Sequence, residues 1–197
     1  MSKVGLYFGS FNPIHIGHVA IAGYMVEFSD LDEVWFVVSP HNPLKKKSTL
    51  LDDSQRLDMV DLALGDSHKL RSCDIEFHLP KPSYTINTLV SLMEKFPFHE
   101  FCLIMGEDNV ETLYKWKNIE QLLAMIPIYV YPRKYEKDPQ NQISDDLLEK
   151  ANMKMVDAPI IEISGSFIRN SIKQGKDVSY FLPPEVWKYI DKKGFYR

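Results

Sequence analysis

Two histidines three residues apart, His15 and His18, stand in the segment Gly9-Ser10-Phe11-Asn12-Pro13-Ile14-His15-Ile16-Gly17-His18. Imidazoles change protonation near neutral pH and donate hydrogen bonds to phosphate oxygens. The segment carries neither the Gly-x4-Gly-Lys-Ser/Thr pattern of a P-loop nor the Gly-x-Gly-x-x-Gly pattern of a dinucleotide turn. Asn-Pro marks a turn before a helix. A helix that starts near His15 puts both histidines on one face at its N-terminal end. Such an end carries partial positive charge and free N–H groups, so it attracts phosphate. Gly17 would leave room for a ligand to approach the helix backbone. A metal pair is the weaker alternative, because no third Cys, His or Asp stands nearby at ligand spacing.

Other segments add groups that suit anions. In Ile163-Ser164-Gly165-Ser166-Phe167-Ile168-Arg169, Ser164 can cap a following helix. The free N–H groups of that helix and Arg169 can then hold phosphates together. In Pro82-Ser83-Tyr84-Thr85, a helix opening at Thr85 turns the N–H groups of Tyr84 and Thr85 toward a carboxylate. Trp116 sits in the polar run Tyr114-Lys-Trp-Lys-Asn118, an unusual setting for a core indole. Lys45, Lys46 and Lys47 form a run whose loop can deliver a cation to a triphosphate.

The elements that must position these groups alternate. Apolar runs at 4–8, 34–38, 70–77, 101–105, 128–131 and 160–163 read as strands. Helices are expected over 15–28, 55–64, 85–96, 167–173 and 184–192, with 108–125 largely helical. Asp52 or Asp53 can cap the second helix. The third helix has Ile86, Leu89, Val90 and Met93 on its apolar face, and Pro184 suits a first helical turn. This order predicts an α/β, Rossmann-like, doubly wound and mostly parallel sheet with helices on both faces. A C-terminal helical part follows from about 164. Ligands of such sheets bind at the carboxyl ends of the strands, where Gly9 falls.

Composition bounds the partners. The 197 residues carry 23 Lys and Arg against 27 Asp and Glu, a formal charge of −4. That balance disfavours a surface that coats a nucleic acid polymer, which needs a basic footprint. It leaves open a local cationic cleft on an acidic body. Cys73 and Cys102 sit in apolar runs with no zinc spacing, as reduced buried thiols of a cytoplasmic protein do. The N-terminus lacks the pattern of a signal peptide, and no stretch approaches the ~20 apolar residues of a membrane helix. No membrane partner is expected, and a homo-oligomer is compatible with the sequence.

The segment at 9–18 resembles the nucleotidyltransferase signature Gly-(Thr/Ser)-Phe-(Asp/Asn)-Pro-x-His-x-Gly-His. Class I aminoacyl-tRNA synthetases share its His-x-Gly-His, but they also need a larger body, a Lys-Met-Ser-Lys-Ser loop and an RNA surface. Residues 163–169 resemble the Ile-Ser-Ser-Thr-x-Ile-Arg motif of nicotinate and nicotinamide mononucleotide adenylyltransferases, with Gly165 for Ser and Ser166 for Thr. Residues 82–89 resemble the Ser-Tyr-Thr-Ile-Asp-Thr-Leu segment of bacterial nicotinate-nucleotide adenylyltransferases. Gly106-Glu-Asp108-Asn with Trp116 is similar to that family's Gly-x-Asp-(Ser/Asn)…Trp stretch. Residues 41–47 resemble its Asn-Pro-Pro-His-Lys loop, with Leu44-Lys45 in place of Pro-His and Lys46 at the phosphate-binding Lys. Arg56 and Met59 match its Arg-x-x-Met, and Arg133 its strand-end Arg. The matches run from residue 4 to residue 190, so one nucleotidyltransferase domain over 1–197 is expected.

The resemblance implies adenylyl transfer from ATP to nicotinate mononucleotide, with Mg2+ carried by ATP. It implies catalytic roles for His15, His18, Lys46 and Arg169. The ATP side is implied to comprise Gly9, Ser10, Phe11, His15, Gly17, His18, Gly106, Arg133, Ser164, Phe167, Ile168 and Arg169. The mononucleotide side comprises Asn12, Lys46, Arg56, Tyr84, Thr85, Asp108 and Trp116. Nearby phosphates should raise the histidine pKa values. The alternatives are a nicotinamide-mononucleotide or pantetheine-phosphate enzyme and, in a different class, a non-catalytic nucleotide-binding regulator.

Overall fold

Six strands, β1 (Ser2–Gly9), β2 (Glu33–Val38), β3 (Leu70–Cys73), β4 (His99–Gly106), β5 (Ile128–Tyr131) and β6 (Met153–Met155), make one sheet in the order β3-β2-β1-β4-β5-β6. Every pairing is parallel. The computed structural model describes residues 1–40, 50–135 and 151–197. The strand order reverses its direction of growth between β1 and β4. A crevice therefore opens beyond the carboxyl ends of these two strands, at Gly9 and Gly106.

Successive side chains of a strand point to opposite faces, and here both faces are buried. Val34, Phe36 and Val38 enter one core, while Trp35 and Val37 enter the other. The first core is closed by α1 (Ile16–Phe28), α2 (Asp53–Leu64), α6 (Gly165–Lys173) and α7 (Pro184–Lys193), through Met25, Met59, Ile168 and Val186. The second is closed by α3 (Thr85–Lys95) and α5 (Ile119–Met125), through Leu89 and Leu122. No helix among the described residues is long and apolar enough to cross a membrane.

The sequence expectations needed four corrections. The third strand stops at Cys73, and Ile75–His78 is a 3-10 turn, because Glu76 turns inward to meet Ser83 and Thr88. Residues 160–163 are not a strand: Met153–Met155 already occupies the edge of β5. Ile161 and Ile163 instead pack on the first core from an irregular segment. Helix α3 buries Ile86, Thr88, Leu89 and Leu92, whereas Val90 and Met93 are largely solvent-facing. Between β4 and β5 the chain breaks into α4 (Glu107–Val110), a 3-10 turn at Leu113–Lys115 and α5, with Asn118 at φ 52° interrupting it.

Candidate active site

The turn after β1 carries the first group of candidate residues. His15 is the N-cap of α1, in extended conformation, and His18 lies in its first turn. The His15 N–H donates to Nδ1 of His18 at 3.3 Å. Neutral His18 therefore holds its proton on Nε2. The two rings stack, 3.7 Å between centroids and 21° between planes. Tyr7 and Phe11 meet the His18 ring edge-on. His15 is only 4% exposed, and its Nδ1 is a buried polar atom without a hydrogen-bond partner. Such an orphan is rare enough to mark a functional position.

Burial, helped by the charge of Arg133, pushes the His15 pKa down to about 4. In this structure His15 is neutral at pH 7, in contrast to the phosphate-bound state for which a raised value is expected. The depressed value has a consequence for stability. Between pH 6.5 and about 4 the unfolded chain takes up a proton that the folded chain refuses, so stability rises with pH in that window. His15 alone should remove roughly 3 kcal/mol across it on acidification. Denaturant midpoints measured from pH 7 to pH 4.5 should fall more steeply for the wild type than for His15→Asn. Parallel curves would contradict this.

Three side chains clamp the same turn. Arg56 is fully buried and donates to the carbonyls of Leu51, Ser10, Ser39 and Pro40 and to the Asp53 carboxylate. It does not line the cleft. The expected contact with the mononucleotide is thus corrected to a positioning task, since its donors are spent on the ends of β1 and β2. Arg169 donates from Nη1 to the Asn12 carbonyl at 2.7 Å and from Nη2 to Oγ of Ser166 at 3.1 Å. Tyr196 donates its hydroxyl to Oδ1 of Asn12 at 2.7 Å.

The glycine at 165 follows from this docking. A Cβ there would stand 2.9 Å from the Asn12 carbonyl oxygen and 3.2 Å from Nη1 of Arg169. A Ser at this position would have to push the turn away from α6. Gly17 also differs from expectation. A Cβ at Gly17 would meet Nδ1 of His15 and Cγ2 of Ile161, both at 3.1 Å, so the space is used by the protein itself. Ser164 caps α6, its Oγ accepting from the Phe167 N–H at 3.1 Å.

The opposite end of the cleft is aromatic and mixed in charge. Tyr84 is the N-cap of α3, and Tyr84, Thr85, Trp116 and Lys117 line the cleft together. The Lys117 ammonium stands 4.3 Å over the Tyr84 ring. Asp108 pairs with Arg133 at 3.7 Å, beside Gly106. Beneath them, the Tyr7 and Tyr131 hydroxyls are 3.1 Å apart. Burial drives both phenols above their ordinary range.

The histidine pair, Arg169, the Tyr84–Thr85 corner, Trp116 and the Asp108–Arg133 pair border one cleft of about 800 Å³ at the strand ends. Each expected site residue lines it except four. Arg56 lies beneath the turn. Ile168 is fully buried in the first core, and Phe167 packs edge-on against Phe181 away from the cleft, with both backbone N–H groups used inside α6. The helical repeat turns residues 167 and 168 away from the face that carries Arg169, so neither side chain lines the cleft. Lys46, with Lys45 and Lys47, lies outside the described residues. Sequence reasoning missed Glu76, Lys117, Tyr131 and Tyr196. Only Glu76 left a signal, as a lone carboxylate between Ile75 and Phe77.

Residues 6–171 match the cytidylyltransferase-like family model. A relative from Flavobacterium johnsoniae, named "probable nicotinate-nucleotide adenylyltransferase", is 58% identical over 195 residues, 99% of each chain. One of the same name from Bacteroides fragilis is 46% identical and covers 96% of this chain and 91% of its own. Among solved structures, the nicotinic acid mononucleotide adenylyltransferase of Plasmodium falciparum, complexed with NaAD, superposes with a TM-score of 0.79. That match covers 100% of this chain and 98% of the other at 21% identity, a likeness of fold. The stacked histidines, the capped helix at Ser164 and the Tyr84–Thr85 corner thus sit in a chain whose full-length relatives share one name, and the protein belongs to the nicotinate-nucleotide adenylyltransferase family.

Proposed function

We propose that the protein transfers the adenylyl group of ATP to nicotinate mononucleotide, giving deamido-NAD and pyrophosphate. The observation that carries this reading is a single cleft with two chemically different ends. One end has the His15–His18 stack, the α6 N-terminus and Arg169, and the other has Tyr84, Thr85 and Trp116. Residues 1–197 act in this reading as one nucleotidyltransferase domain.

A phosphate oxygen of the mononucleotide attacks the α-phosphorus of ATP. The bond from that phosphorus to the β-phosphate oxygen breaks, and pyrophosphate leaves in line. A phosphate dianion is already a nucleophile, so the protein contributes positioning and charge neutralisation. His15 and His18 donate to the α- and β-phosphate oxygens as charge shifts toward the leaving group. Arg169 and Lys46 hold the pyrophosphate side. Because Nη1 of Arg169 is engaged by Asn12, its guanidinium also ties the turn to α6 while it meets phosphate. Gly9, Ser10, Phe11, Gly106 and Arg133 border the adenosine, and Asn12 and Asp108 the mononucleotide.

ATP brings Mg2+, which neutralises phosphate charge when bound. The two carboxylates that line the cleft among the described residues are Glu76 and Asp108. They are engaged by Ser83 and Thr88 and by Arg133. This donor set fits an ion held by phosphate oxygens and water. The unpaired thiols of Cys73 and Cys102 support a reducing, cytoplasmic setting.

The reading is tested by pyrophosphate release from ATP with nicotinate mononucleotide, nicotinamide mononucleotide and phosphopantetheine in parallel. The nicotinate compound should give the largest kcat/KM, because the N–H groups at the start of α3 favour a carboxylate over an amide. Release with none of them would favour a non-catalytic regulator. Trp116→Ala should raise the KM for nicotinate mononucleotide by about tenfold, the scale of a lost cation–π contact, and leave the ATP KM nearly intact. Equal losses for both substrates would contradict ring stacking.

A further inference from the structure

Glu76 is a carboxylate in the cleft wall with no part in the chemistry above. It is 2% exposed, in the 3-10 turn that follows β3. Oε1 accepts from the Thr88 hydroxyl at 2.7 Å, and Oε2 accepts from the Ser83 hydroxyl at 3.2 Å. The Ser39 side chain, just beyond β2, also favours its charged form. Thr88 is fully buried and also reaches the Tyr84 carbonyl at 3.3 Å.

The geometry has a direction. Ser83 and Thr88 bracket Tyr84 and Thr85, the residues that open α3 at the cleft. Ser39 donates its N–H to the Gly9 carbonyl at 2.9 Å, so it belongs to the strand end from which the phosphate-side turn departs. One carboxylate therefore joins the corner proposed for the pyridine ring to the end of the sheet. Burial works against its charged form, and Thr88, Ser39 and Ser83 work for it. A buried charged acceptor that takes bonds from Ser83 and Thr88 fixes them more tightly than a neutral group could.

We propose that Glu76 is the positioning residue for the pyridine end of the mononucleotide, holding the first turn of α3 at a fixed distance from the phosphate-side turn. The inference rests on the adenylyl-transfer reading above. An amide at this position is neutral and offers one acceptor oxygen, so Glu76→Gln loses the charged acceptor and must turn one hydroxyl round to accept from its NH2 group.

The test uses the full chain and measures kcat, both KM values and the thermal midpoint. Glu76→Gln should raise the KM for nicotinate mononucleotide by about tenfold, the scale of one lost hydrogen bond to a charged group. The ATP KM should stay within about twofold, because α3 does not border the phosphate end. Thr88→Val should act in the same direction and more weakly, and Thr88→Ser should restore the wild-type KM. Combined with Glu76→Gln, Thr88→Val should add little, since both remove the same contact. Proportional rises in both KM values, unchanged KM values, or full additivity would overturn the proposal. If Glu76→Gln does not fold, the Thr88 pair decides alone. Absence of wild-type turnover would overturn the adenylyl-transfer reading. An active wild type without the KM split would overturn only the role of Glu76.

Discussion

Replacing His18 with alanine should lower kcat by about 10²–10³, the scale for losing one donor aimed at developing charge. Three losses combine in this variant. The imidazole that donates from Nε2 disappears, and so does the Nδ1 acceptor of the His15 N–H. The His15 ring also loses the partner stacked at 3.7 Å. The effect should therefore fall on kcat more than on either KM, because the donors matter most as charge moves to the leaving pyrophosphate. A second variant, His15→Ala, should not multiply with the first, since the two rings act as one unit. Single-turnover kinetics with a thermal midpoint as control would measure this. Unchanged turnover in His18→Ala would remove the histidine pair from the mechanism.

Arg56→Ala should instead cost stability, by about 3–5 kcal/mol, the range for breaking one side of a buried charged network. The side chain is fully buried and makes five hydrogen bonds. Its removal strands the carbonyls of Ser10 and Ser39 and leaves Asp53 with Lys81 as its ion partner among the described residues. At about 2–4 °C per kcal/mol for a chain of this length, the thermal midpoint should drop by roughly 10 °C. Arg56→Lys should rescue little, because an ammonium cannot reproduce the planar five-donor fork. Urea midpoints would test it, and a loss below about 0.5 kcal/mol would show that the clamp is redundant. Activity should fall in parallel, because Ser10 leads into the turn that carries His15.

Arg56 also marks the limit of what the sequence reveals. A motif match located it and mistook its task, since the carbonyls of Ser10, Ser39 and Pro40, 16 to 46 residues away, converge on it only in the folded chain. Local periodicity made β1, β2, β4 and β5 legible, because each is a continuous apolar run buried on both faces. The same signal misread residues 160–163, where Ile160 is exposed and Ile161 and Ile163 are half-buried without a strand to pair with. The histidine pair was readable because N-cap spacing is a local matter. The roles of Glu76 and Tyr196 were not, since their partners lie 7 to 184 residues away in the chain. Gly165, a departure from the family motif, became explicable only once the Asn12 carbonyl was seen 2.9 Å from its missing Cβ.

The Tyr196–Asn12 hydrogen bond has a consequence for synthesis. Its two ends are 184 residues apart, so at 5–20 residues per second the turn is made about 10–40 s before its last clamp. During that interval a nascent chain can carry the histidine pair, the sheet and the Arg56 contacts while Asn12 still lacks the hydroxyl that holds its side chain. Of the three side chains that clamp the turn, Tyr196 is therefore the last to be made, well after Arg56 and Arg169.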